Sequence, residues 1–460
     1  MSKKVFLITF GCQMNKLDSA LIESSLHQDG FILTDTIKEA DVVLLNTCSV
    51  REHAEQRVIS HLGHLKHIKK SRPELVVGVI GCMAQRLGDE LFKHESVDIV
   101  CGPAQIPQIV QLVTEALNRS KKEIAVTEKI LRKPPEIQDR QLEDFESIYG
   151  IEEENIPSQA YVRVMRGCNN FCSYCIVPYV RGPESCRAPQ SILEQMKKLA
   201  DNGIRQVTFL GQTVNSYKYR QAGKIWSLAD LLAAGSDIAG IEWLKFVTSY
   251  PSEEFFEDIL QVMADSPKVC RYLHMPAQSG SAQILRAMNR NYTADDYLAM
   301  LDKARSIVPD IAVAGDFIVG FPDETEEDFQ ATVSLAEKAK YKNAFIFKYS
   351  LRPGTAADKK LQDNIPAEIK QRRNIELLAV QEKISERLSA EFQDKQVTIL
   401  VEGLSKKNRP ADTEKDHPQL TGRTATDYIV VFNGPQSLTG SFVRVKITKT
   451  SPLTLFGQLI

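Results

Sequence analysis

Cysteine placement constrains this chain more than any other feature of its 460 residues. The nine cysteines stand at positions 12, 48, 82, 101, 168, 172, 175, 186 and 270. An odd count argues against a disulfide framework and favours metal or redox chemistry. The N-terminal sequence MSKKVFLITFGCQMNK holds only a strand-length apolar run, so we expect no export signal and a cytoplasmic protein.

Composition is that of an ordinary folded protein. Hydrophobic residues make up 43 % and charged residues 25 % of the sequence, which excludes a disordered, collagen-like or disulfide-scaffold chain. No apolar run reaches the length of about 18 residues that a transmembrane span requires. At roughly 150 residues per domain, the length predicts about three domains. The formal net charge of −2 excludes a uniformly basic protein but permits a local basic patch.

The first 125 residues alternate apolar runs with amphipathic patterns. Strand-like runs cover 4–10, 41–46, 75–80 and 98–102, and a helical pattern follows each one. This alternation predicts βαβ units and a parallel α/β sheet domain over residues 1–125.

Three cysteines of this region share one placement. Cys12, Cys48 and Cys82 each follow a predicted strand by one or two residues and precede a helix. Ligands bind beyond the carboxyl ends of such strands, so we expect these thiols, the N-terminal triad, to meet at one edge. The alternative is three unrelated small residues at loop starts. Cys101 ends the fourth strand, where a buried free thiol is favoured over a fourth ligand.

Residues 126–157 break the pattern and predict a linker between domains. The segment carries RKPPEIQDRQ and the acidic run EDFESIYGIEEEN. We interpret the acidic run as a solvated surface.

Residues 158–384 predict a second α/β unit. Helical stretches separate six strand candidates, at 160–166, 206–210, 244–248, 271–275, 311–320 and 344–350. Six such units indicate a partial βα barrel, whose active site lies at the carboxyl ends of its strands. Polar segments collect at those ends, namely GCNNFCSYC, GQTVNSY, TSYPSE, MPAQSGS and GFPDET. Five of them in succession predict one active-site face.

The first of these segments is a C-x3-C-x2-C cluster formed by Cys168, Cys172 and Cys175, the loop triad. A structural zinc site closes with four protein ligands. Three thiolates on a [4Fe–4S] cluster instead leave one iron open to bind a small molecule. Zinc is the alternative, with Cys186 as its nearest extra ligand, but no second close-spaced cysteine pair supports it.

Residues 385–460 predict a small antiparallel β-barrel from short strand-like runs such as VTILVEGL, YIVVF and SFVRVKIT. From residue 395 onward, the sequence contains nine Lys and Arg residues but only five Asp and Glu residues. Such a basic β module is a suitable electrostatic footprint for RNA phosphates, and a solubilising surface is the alternative. The candidate RNA contacts are Lys406, Lys407, Arg409, Arg444, Lys446 and Lys449.

Several motifs together resemble a known family. They are TFGCQMNKLDS, LNTCSVREHAEQRV, GCMAQR, MRGCNNFCSYCIVPYVRG, LGQTVNSY, LHMPAQSGS, DFIVGFPDET and YSLRPGTAA. The chain resembles the radical S-adenosylmethionine methylthiotransferases over essentially its whole length, and its last module resembles the TRAM nucleic-acid-binding domain. The GCQMN and NTCSVRE sequences are similar to those of the branch of this family that acts on dimethylallyladenosine of tRNA.

The resemblance implies two [4Fe–4S] clusters and S-adenosylmethionine. The loop triad would hold the cluster that generates a 5′-deoxyadenosyl radical, and the N-terminal triad an auxiliary cluster linked to sulfur insertion. The expected product carries a methylthio group at carbon 2 of N(6)-dimethylallyladenosine at position 37 of tRNA. Expected partners are a tRNA anticodon stem-loop, a reductant such as flavodoxin or ferredoxin, and a sulfur donor, with no membrane and a monomeric protein.

Alternatives remain open at this point. Other branches of the family methylthiolate threonylcarbamoyladenosine in tRNA or an aspartate of a ribosomal protein. A non-catalytic iron–sulfur protein that binds RNA or carries electrons would need no S-adenosylmethionine pocket.

The resemblance also nominates cofactor contacts. These are Tyr174 beside the cluster, Arg187, Gln212, Asn215, Ser249, Gln278 and Asp316. For each, the alternative is a polar group satisfied within its own strand end or loop. Cys186 stands where the family has a serine, and Asp316 replaces a small residue, so neither matches the family pattern. Cys101, Cys186 and Cys270 receive no role.

Overall fold

The computed structural model describes residues 2–49, 52–119, 122–127, 136–149, 158–252, 256–406 and 417–460. Three parts follow one another along the chain: a parallel sheet, a partial barrel and a small closed barrel. Among the helices of the described ranges, none joins the length and the apolar character that a membrane crossing demands.

The N-terminal part is a six-stranded parallel sheet in the order β2-β1-β3-β4-β5-β6. Its elements are β1 (Lys4–Phe10), α1 (Gln13–Gln28), β2 (Ile32–Leu33), β3 (Val42–Thr47), α2 (Glu52–Ser71), β4 (Val76–Gly81), α3 (Cys82–Leu87), β5 (Ile99–Cys101), α4 (Ile109–Arg119), β6 (Glu123–Ala125) and α5 (Glu136–Glu146). The predicted parallel sheet is confirmed, and the short edge strands β2 and β6 were not anticipated.

Helices cover both faces of this sheet, which explains the continuous apolar runs of its central strands. In β3, Val42 and Leu44 pack into one apolar cluster, while Val43 and Leu45 pack into another on the opposite face. Alternate side chains point to opposite faces of a strand, so a strand buried on both faces must be apolar throughout.

The central part is a partial barrel of six parallel strands in chain order. Its elements are β7 (Gln159–Arg163), β8 (Met165–Arg166), α6 (Val177–Arg181), β9 (Ser185–Cys186), α7 (Pro189–Asp201), β10 (Gln206–Leu210), β11 (Lys218–Gln221), β12 (Lys224–Ser227), α8 (Leu228–Ser236), β13 (Trp243–Phe246), α9 (Phe256–Asp265), β14 (Tyr272–His274), α10 (Ala282–Ala287), α11 (Ala294–Ile307), β15 (Ala312–Val319), α12 (Glu326–Ala339), β16 (Asn343–Lys348), α13 (Ala356–Lys360) and α14 (Ala367–Ala390).

The barrel wall runs β7-β10-β13 and then β14-β15-β16, with a single bridge from Leu244 to Val269 where the two sheets meet. The predicted six-unit partial barrel is therefore confirmed. The helical stretch predicted over 279–307 is instead two helices, α10 and α11. The chain breaks at Asn289, which has a positive φ of 58°, and restarts at Thr293, whose side chain caps α11.

The C-terminal part is a closed five-stranded barrel in the order β17-β18-β19-β21-β20. Its strands are β17 (Gln396–Leu404), β18 (Gln419–Thr424), β19 (Ile429–Asn433), β20 (Phe442–Thr450) and β21 (Thr454–Leu459). The expected purely antiparallel pairing is wrong at one point, because β19 and β21 pair in parallel. Helix α14 leads into this barrel, whose apolar core is shared with Tyr272, Ala312 and Ala314 of the partial barrel.

In the described part of the acidic run, residues 143–149, two carboxylates are not the solvated groups that we expected, while Asp144 is exposed. The run ends helix α5, where the side chain of Glu146 is only 1 % exposed and pairs with Arg163 and Arg166. Glu143 pairs with Arg187 at 2.8 Å. These arginines are buried at the start of the barrel, and buried cations need carboxylate partners.

Candidate metal centre

The N-terminal triad meets because its three strands are neighbours in register. Phe10 of β1 lies beside Thr47 of β3, and Thr47 lies beside Gly81 of β4. The cysteines follow these three positions by one or two residues, at the carboxyl edge of the sheet. Thus β1, β3 and β4 deliver one thiol each to a single edge.

Contacts inside the N-terminal triad are close. The Cys48 thiol donates a hydrogen bond to Cys12, and this bond together with nearby Arg181 outweighs burial and lowers the pKa of Cys12 to about 5. Gly11 has a φ of +147°, and a Cβ there would lie 2.6 Å from the Cβ of Cys48. Only glycine therefore permits the backbone of the first loop to approach the second thiol this closely.

The loop triad lies at the opposite side of this edge, between β8 and α6. Cys168 and Cys172 are buried, and the amide of Cys175 donates to the carbonyl of Cys172 at 2.9 Å. The preceding Gly167 has a φ of +67°, and a Cβ there would lie 1.9 Å from the Pro183 carbonyl oxygen. The loop is thus wound tightly enough to bring its thiols together.

Two side chains from elsewhere in the barrel contact the loop triad. Arg290 donates to the Cys172 sulfur at 3.7 Å, and Thr213 hydrogen-bonds Cys168. Burial raises the pKa of Cys168 to about 11 and that of Cys175 to about 12. Cysteine binds metal as the thiolate, so metal binding at these thiols releases their protons.

Helix α6 joins the two triads. It begins two residues after Cys175, and its last residue, Arg181, donates to Asp18 at 2.9 Å and to the thiol of Cys82. Val180 of the same helix packs against Cys82. The four steps from Val177 to Arg181, at a rise of about 1.5 Å each, carry the helix roughly 6 Å along its axis.

A buried charge network fixes this arrangement. Arg163 of β7 pairs with Asp18 of α1 at 2.5 Å, and also with Glu146 of α5 at 3.1 Å. The side chains of all three are at most 3 % exposed. Removing one member of such a network leaves an uncompensated buried charge, so sheet and barrel are held in one relative position.

The donor set fits iron–sulfur clusters, because each triad supplies three cysteine thiols. Within the described ranges, no three His, Cys, Asp or Glu side chains are spaced to share one metal ion. Each thiolate of a [4Fe–4S] cluster binds its own iron, so its cysteines stand farther apart than the ligands of one zinc. Three cysteine thiols in each triad match the donor type that such a cluster takes from a protein.

Two of the nominated cofactor contacts carry buried oxygen atoms without a protein partner in the described ranges. They are Gln212 Oε1, after β10, and Ser249 Oγ, after β13. Unsatisfied buried polar atoms are costly and are characteristic of ligand sites. Both lie in loops at the carboxyl ends of adjacent strands, where the predicted active-site face is.

Other nominated residues have protein partners. Asn215 exchanges two hydrogen bonds of 2.8 Å with the backbone of Tyr250. Arg187 donates to Glu143, to Gln195 and to the carbonyl of Arg163. In this structure both side chains hold the loops of the site in place.

The remaining nominated residues are Asp316 on β15, Gln278 after β14 and Tyr174 between Cys172 and Cys175. Asp316 contacts His274 Nε2 at 3.2 Å. Gln278 is buried with a φ of 69°. Tyr174 is packed beside the loop triad, and burial raises its pKa well above the ordinary value.

Sequence reasoning missed Arg181, Thr213 and Arg290. The first two lie inside quoted motifs, MRGCNNFCSYCIVPYVRG and LGQTVNSY, so their motifs were available as a signal. Arg290 lies in a segment that we did not single out.

The nominated RNA contacts lie on the closed barrel. Arg444 and Lys446 alternate along β20 on its exposed face, and Lys449 and Lys406 are exposed as well. Lys407 and Arg409 lie outside the described residues.

The three cysteines without a role lie on strands β5 and β9 and just before β14. Cys101 and Cys270 are fully buried thiols, and burial raises the pKa of Cys270 to about 12. Cys186 lies on β9, where it pairs across the ladder with Met165.

Family models match the three parts of the chain. The models are those of Uncharacterized protein family UPF0004 at residues 4–102, the Radical SAM superfamily at 162–336 and the TRAM domain at 393–460. A solved radical S-adenosylmethionine methyltransferase from Kitasatospora setae, with cobalamin and a [4Fe-4S] cluster bound, is 16 % identical with a TM-score of 0.52. The match covers 78 % of this chain and 77 % of that one, which shows a shared fold.

Similar proteins match over nearly their whole length. The tRNA-2-methylthio-N(6)-dimethylallyladenosine synthase of Rhodopirellula baltica is 42 % identical, covering 100 % of this chain and 96 % of the relative. The synthase of the same name from Porphyromonas gingivalis strain W83 is 40 % identical, covering 100 % and 95 %. The chain therefore belongs to the family of the tRNA-2-methylthio-N(6)-dimethylallyladenosine synthases.

Proposed function

We propose that this chain attaches a methylthio group to carbon 2 of N(6)-dimethylallyladenosine at position 37 of tRNA. The observation that carries this proposal is the meeting of two cysteine triads across the interface between sheet and barrel. Helix α6 begins beside the loop triad and ends on Cys82 of the N-terminal triad. An electron carrier needs one cluster near a surface, whereas sulfur insertion by radical chemistry needs two centres around one substrate.

The two triads would each hold a [4Fe–4S] cluster. When bound, the clusters and S-adenosylmethionine supply the one-electron cleavage, methyl transfer and sulfur insertion that an unactivated adenine carbon requires. The protein's own part is to bind, to orient and to exclude water. Both triads suit that part, because most of their thiols are buried.

Gln212 and Ser249 are our first choice for binding S-adenosylmethionine. A carboxamide oxygen can accept from an ammonium group, and a hydroxyl can donate to a carboxylate. The methionine end of S-adenosylmethionine carries both of these groups. The unpartnered atoms of the two residues would thereby gain the partners that the described protein does not give them.

The other nominated residues complete this face. Tyr174, Gln278 and Asp316 are proposed to contact the cofactor, while Asn215 and Arg187 position the loops that carry it. Arg290, held by the Pro276 carbonyl at 2.6 Å, keeps a positive charge on Cys172.

Transfer RNA would bind the basic face of the closed barrel through Lys406, Arg444, Lys446 and Lys449, and we propose the same role for Lys407 and Arg409, which follow Lys406 in the sequence. Because the target base is stacked in the anticodon loop, it must leave the stack to reach the barrel mouth. We further propose that the protein is a cytoplasmic monomer that takes electrons from flavodoxin or ferredoxin and sulfur from a separate donor.

A product assay tests this function. Anaerobically reconstituted protein is given S-adenosylmethionine, dithionite and two anticodon stem-loops, one prenylated and one threonylcarbamoylated, and the nucleosides are read by mass spectrometry. We expect a methylthio product on the prenylated adenosine alone. A methylthio product on the threonylcarbamoylated stem-loop would show that the proposed substrate is wrong. If fully iron-loaded protein forms no 5′-deoxyadenosine, the proposal that the chain is a radical enzyme is overturned.

Cysteine variants test the division between the triads. Replacing Cys168 with Ala should abolish cleavage of S-adenosylmethionine, whereas replacing Cys48 should spare cleavage and stop sulfur insertion. Cys270→Ala is the matched control, because this buried thiol packs in a cluster with Trp243 and Leu400. Loss of cleavage in a folded Cys48→Ala protein would contradict the division.

A further inference from the structure

A β-hairpin at the barrel mouth has no part in the function described so far. Strands β11 and β12 form an antiparallel pair between β10 and α8. The sequence Lys218–Ser227 reads KYRQAGKIWS, with three cations and no acidic residue. Ala222 and Gly223 form its tip, with φ values of 48° and 80°, as the tight turns of two-residue hairpins require.

The two faces of this hairpin differ. Tyr219 and Trp226 are cross-strand partners and pack against the apolar core of the barrel. Arg220 and Ile225 are partners on the other face, and both are exposed, with Ile225 at 47 %. Lys218 is exposed on this second face as well. The hairpin thus presents cations and one apolar side chain outward.

Both ends of the hairpin are anchored. The hydroxyl of Tyr217, just before β11, donates to the Arg187 carbonyl at 2.7 Å. Ser227, the last residue of β12, caps α8 through a reciprocal pair of bonds with Asp230. Its outer face is therefore held in place before any partner arrives, which lowers the entropic cost of binding.

The position of the hairpin relative to the loop triad follows from its root. Thr213 hydrogen-bonds Cys168 and lies five residues before Lys218. Each four-residue strand extends about 13 Å at 3.3 Å per residue. The root of the hairpin therefore lies near the loop triad, and its tip is at most about 13 Å from that root.

We infer that the outer face of this hairpin binds the phosphate backbone of the tRNA stem-loop whose adenosine enters the mouth. The inference rests on the proposed function. A base extruded into the site draws its flanking phosphates to the rim, where Lys218 and Arg220 stand. Guanidinium groups bind phosphate oxygens in a forked geometry, and an apolar neighbour such as Ile225 suits the ribose face.

An acidic electron-donor protein is the other partner that such a surface could attract. We favour RNA because the RNA substrate must pass the hairpin to enter the barrel mouth. An electron-donor protein does not need to bind at that entrance. The two possible partners can be distinguished by experiment, because dithionite can replace the electron-donor protein but cannot replace the RNA.

The test measures binding of a prenylated anticodon stem-loop RNA by anisotropy over a series of salt concentrations. We expect Lys218→Ala with Arg220→Ala to weaken binding about tenfold and to reduce the slope of log K against log salt by roughly 0.7–0.9 per lost phosphate contact. Lys218→Ala with Arg220→Lys should retain more of the affinity and of the salt slope than the double alanine variant, because the second cation is kept. Lys197→Ala, an exposed cation on helix α7 of the outer layer, is the matched control and should change neither.

Each outcome distinguishes the inference from the proposed function. If wild-type protein makes the methylthio product and the double variant binds RNA with unchanged affinity and slope, the inference fails and the function stands. A third outcome is that the double variant loses product formation when flavodoxin is the reductant and keeps it with dithionite. That result would assign the hairpin to a protein electron donor and would also overturn the inference. If wild-type protein makes no product from this RNA, the proposed function itself fails. Circular dichroism of each variant shows whether the fold is retained.

Discussion

Asp427 holds the closed barrel on the partial barrel, and its removal gives the sharpest energetic prediction. It lies between β18 and β19, and its carboxylate is 3.4 Å from Lys342 Nζ and 3.5 Å from Lys245 Nζ of the partial barrel. Arg423 of its own barrel lies at 3.0 Å. We predict that Asp427→Asn loosens this interface. Asn suits the site because Asp427 has a positive φ of 64°, which Asn also tolerates.

The magnitude follows from the charges. A pair at 3.4 Å with an effective dielectric constant of 20 has a Coulomb energy of about 5 kcal/mol, which desolvation of both ions largely offsets. Breaking a buried pair by removing one partner costs about 3–5 kcal/mol. The side chain of Asp427 is 21 % exposed, so the lower end applies. Burial lowers the pKa of Lys342 to about 8, and the negative charge of Asp427 opposes that shift. The expected cost of Asp427→Asn is therefore about 3 kcal/mol.

Tryptophan fluorescence provides the assay. The chain has two tryptophans, and Trp243 packs edge-on against Phe442 of the closed barrel with ring centroids 4.7 Å apart. In a Trp226→Phe background, the fluorescence change during urea unfolding comes from Trp243 at this interface. Asp310→Asn, in the exposed pair with Arg271, is the control and should cost less than about 1 kcal/mol. A loss no larger for Asp427→Asn than for Asp310→Asn would refute the reasoning.

The same pair has a defined pH dependence. Burial raises the pKa of Asp427, but Lys342, Lys245 and Arg423 outweigh it, so the pKa lies below the ordinary value. A lowered carboxyl pKa stabilises the fold above the unfolded pKa of about 3.9, and this contribution disappears as the pH falls through the folded value. The difference between wild type and Asp427→Asn should therefore stay constant from pH 7 to about 5 and shrink below 4.

Three further substitutions test the metal centre. Gly167→Ala would drive a Cβ into the Pro183 carbonyl, so we expect loss of S-adenosylmethionine cleavage in the product assay with the N-terminal sheet still folded by circular dichroism. Ser249→Ala removes a buried unpartnered hydroxyl, so calorimetry should show S-adenosylmethionine binding about tenfold weaker while the melting temperature of the apoprotein is unchanged or higher. Arg181→Gln removes the charge beside Cys82, so iron analysis of the reconstituted protein should show loss from the N-terminal triad, with cleavage retained.

The sequence alone determined the layered architecture and the two triads. Alternating apolar strands and amphipathic helices are local patterns, because period-2 and period-3.6 burial is set by each segment's own residues. Parallel strands end at one edge, so placing Cys12, Cys48 and Cys82 after successive strands was sufficient to bring their thiols together. The C-x3-C-x2-C spacing likewise needs no tertiary information.

Only the tertiary structure decided which polar groups are satisfied by the protein. Arg163 and Asp18 are 145 positions apart, and Arg181 and Asp18 are 163 apart, so no local pattern pairs them. From the sequence, Glu146 was predicted to be solvated as part of an acidic run, but in the structure it pairs with Arg163 and Arg166 of the barrel. The same holds for Gln212 and Ser249, whose unpartnered oxygens distinguish them from Asn215 and Arg187. A side chain's type fixes what it can bind, but whether its partner is protein, ligand or water depends on neighbours that folding brings from distant parts of the chain.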